Sequence, residues 1–267
     1  MVLLPILWTS GTLIFSAVIA VVTFMCLFEM FRCMGLHKNI ALTLPVYIAG
    51  AAFPFLQKML ADMALVIMIA FIFASVYLIY LFALVIWSHG KLAYQNACSS
   101  FLTSLYIVMA LNMVIYIRNF GETGKYLYLL IFFGAWMTDI FAYFTGVFFG
   151  KHKLIEDVSP KKTIEGSIGG TVFCAISFVV FGIIMDSFFG AEANLIFLAI
   201  SGIVMAVISQ IGDLIMSVIK RHYGIKDYGK IFPGHGGMLD RLDSILAVTT
   251  ALAMVCMISS IIGIPLM

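Results

Sequence analysis

The chain has 267 residues, of which 63% are hydrophobic and 10% charged, whereas soluble domains carry about 25% charged residues. A mean hydropathy of +1.13, with apolar runs recurring throughout that are long enough to cross a ~30 Å hydrocarbon core, excludes an ordinary soluble protein. It also argues against a strand-built barrel, which would read as short alternating segments. The net charge of +2 says less than the places where the charges fall.

Taken in order, the sequence predicts an all-α polytopic membrane protein. The start, Met1-Val-Leu-Leu-Pro-Ile-Leu-Trp8, lacks a basic n-region and a cleavage site and reads as mature sequence. Eight spans are expected at 10–31, 40–56, 62–87, 97–117, 126–149, 168–189, 194–216 and 244–265. Pro45 and Pro54 predict a kink or tilt in the second, and the third is long enough to tilt. Residues 1–125 form an N-terminal helical region, and 126–267 a second region with polar loops at 150–167 and 217–243. Gly146-Val-Phe-Phe-Gly150 and Gly166-Ser-Ile-Gly-Gly170 have the small-xxx-small spacing of closely packed helices. Five scattered cysteines without a CxxC pair read as apolar packing.

One alternate set of loops holds Arg32, Lys38, Lys91, Lys151, Lys153, Lys161, Lys162, Lys220, Arg221, Lys226, Lys230 and Arg241. The other holds Lys58, Arg118 and Lys125. This asymmetry predicts that the first set is cytoplasmic and that both termini lie outside. Both long polar loops then share the side on which nucleotides are found.

Asp139 falls near the centre of the fifth span. A carboxylate there costs about 2.5–3.5 kcal/mol on insertion scales, so it is expected to face a polar cavity unless it is a hydrogen-bonded structural acid. Ser209, Asp213, Ser217 and Lys220 share one face of the seventh span and make a polar stripe running out to the loop. Asp240 and Asp243 share a helical face at the start of the last span. Helix capping is one reading of that pair. Convergence with Asp213 on a hard cation such as Mg²⁺, completed by water and phosphate oxygens, is the other.

The loop Lys226-Asp227-Tyr-Gly-Lys230-Ile-Phe-Pro-Gly-His235-Gly236-Gly237 combines cations with glycines whose N–H groups can approach a phosphate. In Ser159-Pro-Lys161-Lys162-Thr163-Ile-Glu165 the lysines read either as membrane-surface anchors or as a polyphosphate clamp. Residue chemistry reaches as far as metal-dependent phosphate chemistry on a lipid.

The stretch Ser217-x-x-Lys220-Arg221-x₄-Lys226-Asp227-x-Gly229-x₃-Pro233-x-His235-Gly-Gly-x-x-Asp240-Arg241-x-Asp243 resembles the signature of the phosphatidate cytidylyltransferases, or CDP-diacylglycerol synthases. The segment Asp139-x-x-Ala142-Tyr143-x-x-Gly146 and the loop at 159–166 agree with it. The resemblance is detailed from about 130 to 245. It implies cytidylyl transfer from CTP to phosphatidate, releasing pyrophosphate, with Mg²⁺ as cofactor and K⁺ as a companion cation. It further implies Asp213, Asp240 and Asp243 at the metal and Lys220, Arg221, Lys226, Lys161 and Lys162 on phosphates. Ser159, Thr163, Glu165 and His235 would shape the pocket, and Asp139, Ser217, Asp227, Gly236, Gly237 and Arg241 complete the candidate set. The expected setting is a cytoplasm-facing cavity of the plasma or inner membrane, in a protein that works with lipid rather than nucleic acid, with a homodimer among the expected states. Family members commonly begin with a basic segment and an extra helix before the region matching Glu29-Met-Phe-Arg32, so a truncated or rearranged start is expected here.

Two other classes fit parts of the pattern. A CTP-using polyprenol kinase would transfer the γ-phosphoryl group and release CDP. An ion-coupled transporter would line a path with Asp139 and Asp213, but its usual second, repeated half is not visible.

Overall fold

A computed structural model describes residues 10–60, 62–156, 158–231, 236–263 and 266. The helices are α1 (Leu13–Cys33), α2 (Ile40–Met59), α3 (Met63–Trp87), α4 (Tyr94–Arg118), the four-residue α5 (Gly124–Leu127), α6 (Leu129–Phe149), α7 (Ile164–Phe189), α8 (Leu195–His222) and α9 (Leu239–Ile262). With α5 and α6 counted as one span, eight helices among the described residues are long and apolar enough to cross a membrane. The protein is therefore an all-α polytopic membrane protein, as expected. A small antiparallel hairpin, β1 (Lys153–Ile155) with β2 (Ser159–Thr163), occupies the loop between α6 and α7.

Helix starts follow local capping chemistry. The side chains of Asn39, Asp62, Thr163 and Asn194 accept backbone N–H groups at the starts of α2, α3, α7 and α8, satisfying donors that helix geometry leaves open. The ends differ more from expectation. Helix α8 carries Ser217, Lys220 and Arg221 within it, α7 begins at Ile164, and α9 begins at Leu239. A span predicted from apolar residues marks the hydrocarbon-embedded part, whereas the backbone helix continues into the polar interface.

The chain divides into two compact units: 1–115 with 225–240, and 116–224 with 241–267. In the first, α1 packs on α2 around Leu27, Phe31, Leu42 and Val46. Gly50 brings α2 close to Thr23 and Leu27 of α1 and Val108 of α4. Helix α2 runs through both prolines, and the Tyr77 hydroxyl of α3 donates to its Leu42 carbonyl at 3.0 Å. Apart from Val66, Tyr77 and Leu81, α3 is largely open, as suits a helix apolar all round and turned to lipid.

In the second unit α7 lies between α6 and α8. Its glycines set the spacing. A Cβ on Gly170 would stand 2.8 Å from the Thr138 carbonyl oxygen, and one on Gly166 2.6 Å from that of Ala142. These are the close helix contacts that the small-xxx-small spacing predicts.

Candidate functional site

In the second unit, β-strand alternation separates the two adjacent lysines. Lys161 is exposed, while Lys162 is turned inward, its Nζ 2.5 Å from Oδ2 of Asp213 on α8. About a quarter of each side chain stays accessible. The contact is ionic, since Lys162 Nζ has no aligned hydrogen bond among the described residues. Thr163, next along the strand, accepts the Gly166 N–H at 3.1 Å and caps α7.

Around this ion pair lie three more charged groups. The Asp243 side chain on α9 lies close to that of Asp213 and within electrostatic reach of Lys220. One Asp243 oxygen accepts the Ser244 N–H at 2.8 Å. Asp139 on α6 is accessible; its carboxyl meets the Ser244 side chain and feels both Asp213 and Lys162. Four elements (α6, β2, α8 and α9) thus bring Asp139, Lys162, Asp213 and Asp243 together. Ser209, earlier on the α8 stripe, is fully buried, and its hydroxyl has no hydrogen-bond partner among the described residues. Ser217 and Ser159 are half-buried, whereas Arg221 and Arg241 are exposed.

Glu165 is committed locally. It accepts the backbone N–H groups of Lys151 and His152 at 3.1 and 3.2 Å and meets His152 Nδ1 at 2.6 Å. Here it ties the loop entering β1 to the first turn of α7.

The first unit holds the other part of the signature. Asp240 Oδ2 accepts the N–H groups of Tyr228 (2.8 Å) and Gly237 (2.9 Å). Gly236 adopts φ +83°, and a Cβ there would also crowd the Asp240 carboxyl; glycine suits both demands. Lys226 and Asp227 are exposed. His235 lies outside the described residues. Sequence reasoning passed over Glu29 of α1. It is 2% exposed and accepts the N–H groups of Met238 (3.0 Å) and Leu239 (2.8 Å). The signal was present, for Glu29 is the single acid in an otherwise apolar span.

As a donor set, the Asp213–Asp243 pair offers hard oxygen ligands whose mutual repulsion a cation would relieve. Among the described residues no three His, Cys, Asp or Glu side chains form a ready-made metal centre. That is compatible with Mg²⁺, which commonly takes one or two carboxylates and fills its octahedron with water and phosphate oxygens.

Fold and polar cluster together define a multi-pass membrane protein with acids and a lysine gathered among its helices. The chain belongs to the cytidylyltransferase family, whose pattern matches residues 1–259. It is 40% identical over 147 residues to the phosphatidate cytidylyltransferase of Bacillus subtilis (strain 168), covering 55% of this chain and 53% of that protein. To that of Staphylococcus haemolyticus (strain JCSC1435) it is 37% identical over 161 residues, 60% of this chain and 59% of the relative. To that of Staphylococcus aureus (strain COL) it is 40% identical over 153 residues, 56% and 57% respectively. The matched stretch thus spans little more than half the length of these relatives.

Proposed function

We propose that the protein transfers a cytidylyl group from CTP to phosphatidate, giving CDP-diacylglycerol and pyrophosphate. The observation that carries this reading is the cluster of Asp139, Lys162, Asp213 and Asp243, in a chain similar to phosphatidate cytidylyltransferases. A phosphate oxygen of phosphatidate attacks the α-phosphorus of CTP, the bond from that phosphorus to the bridging oxygen breaks, and pyrophosphate departs. The attacking phosphate monoester is already largely ionised near neutral pH, so a general base is not required.

Asp213 and Asp243 would hold Mg²⁺; for Asp240 a role in transfer rests on the family resemblance alone. When bound, Mg²⁺ supplies charge neutralisation on the phosphates. Lys162 has open donor capacity to direct at a phosphate once Asp213 has another counter-charge. Lys220 and Arg221, in the last turn of α8, extend that positive field, with Lys161 and Arg241 at its exposed edge. Cytidylyl transfer would take place at the cytoplasmic face, the side to which the charge asymmetry would assign the basic loops. A homodimer belongs to the same reading, and the mass of the detergent-solubilised protein tests it.

The decisive assay supplies purified protein with Mg²⁺, CTP and phosphatidate. Pyrophosphate and CDP-diacylglycerol are the expected products. Release of CDP with a phosphorylated lipid would assign the protein to the kinase class instead.

A further inference from the structure

Glu29 is placed oddly for a packing residue. Its carboxylate is buried near the end of an apolar helix, where a lone charge would be costly without hydrogen bonds. Both oxygens are engaged more than 200 residues along the chain: Oε1 by the Met238 N–H, Oε2 by the Leu239 N–H. Those donors lie at the first turn of α9, where backbone N–H groups lack helical partners and a negative charge is favoured. Charge-assisted bonds of this kind are stronger than neutral ones.

Two signature glycines fit around the same carboxylate. A Cβ on Gly237 would stand 2.5 Å from each Glu29 oxygen, and one on Gly229 would collide with Oε1. Their small size therefore has a local cause other than ligand access. Gly237 presents its Cα side to Glu29 while its N–H goes to Asp240, and Asp240 also collects the Tyr228 N–H. Two carboxylates, one from α1 and one from α9, thus share the backbone donors of Tyr228, Gly237, Met238 and Leu239.

We propose that Glu29 is a positioning residue: it clamps residues 237–239 at the start of α9 against Gly229, and so fixes the orientation of Asp240. The proposal rests on the reading of Asp240 as part of the transfer site. Glu29 itself touches no substrate. Its distance in sequence from the signature leaves the motif incomplete without α1.

The test compares Glu29→Gln and Glu29→Asp with the unsubstituted protein, each purified in detergent. Hydrogen–deuterium exchange is followed over 225–240 beside steady-state transfer with CTP, phosphatidate and Mg²⁺. Glu29→Gln keeps the length but sets an N–H₂ group against a backbone donor. It should speed exchange at 236–240 at least tenfold, leave the interiors of α1 and α9 unchanged, and lower kcat at least tenfold with KM for CTP within threefold. Glu29→Asp keeps the charge and should recover part of both effects. Unchanged exchange would overturn the clamp, and loosened exchange with undiminished kcat would overturn its role in positioning. Loss of protection throughout the helices, in both variants, would reduce Glu29 to a fold-stabilising residue and overturn the proposal as well. If the unsubstituted protein makes no CDP-diacylglycerol, the functional reading fails by itself, and the exchange arm still decides whether the clamp exists.

Discussion

Lys162 and Asp213 stand 2.5 Å apart, each about three-quarters covered. Such a pair is screened less by water than an exposed one, and because Lys162 Nζ is buried it meets a ligand only once Asp213 is drawn to another cation. Lys162→Met should therefore cost turnover far more than stability. A fall in kcat/KM of about 10²-fold or more is expected by analogy with the loss of one preorganised donor to developing charge. Near-normal kinetics in that variant would remove Lys162 from the site. Asp213→Asn and Asp240→Asn should each abolish transfer while insertion and helix content, followed by circular dichroism, stay intact. Turnover close to normal in either would end the metal assignment for that residue. The adjacent lysines could not be ranked from their letters; the strand decided, turning one inward and leaving the other exposed. Glu165 shows the reverse case, a carboxylate expected in the pocket that His152 and two backbone donors occupy.

At the scale of elements, the seam between α6 and α7 sets where β2 can deliver Lys162. Gly170→Val would push a branched side chain into the Thr138 carbonyl and Ala142, 2.8 and 2.9 Å from the first added carbon. Overpacking of this kind costs about 1–3 kcal/mol, so a lower unfolding temperature in detergent is expected; Val172→Ala, at an exposed position on the same helix, should leave it unchanged. Thr163→Ala removes the cap of α7, a loss of about 1 kcal/mol, together with a methyl that packs near Gly150. An unaltered melting temperature would show that the cap is dispensable. Several span starts were legible from where the apolar runs begin, and Asn39, Asp62 and Asn194 cap the helices there. The ends of α8 and the start of α9 were not, because charged residues there continue a helix beyond its greasy part.

For the whole molecule the remaining question is sidedness. The positive-inside asymmetry predicts that the hairpin of β1 and β2 faces the cytoplasm. In a cysteine-free background, Glu156→Cys should resist a membrane-impermeant maleimide in intact cells and react once the membrane is opened. Labelling from outside would invert the topology and separate the site from the cytosolic nucleotide pool.

Sequence alone determined that this is a multi-pass helical membrane protein with its polar chemistry concentrated in two loops and a few intramembrane acids. Hydrophobic runs, caps and a charge asymmetry are local properties, so they survive in a one-dimensional reading. Tertiary structure alone decided which acids meet. Asp139, Asp213 and Asp243 gather with Lys162 because four separate elements converge, while Glu29 reaches the start of α9 from the other end of the chain. Contacts between residues far apart in the chain depend on helix packing, and no spacing within a motif encodes them.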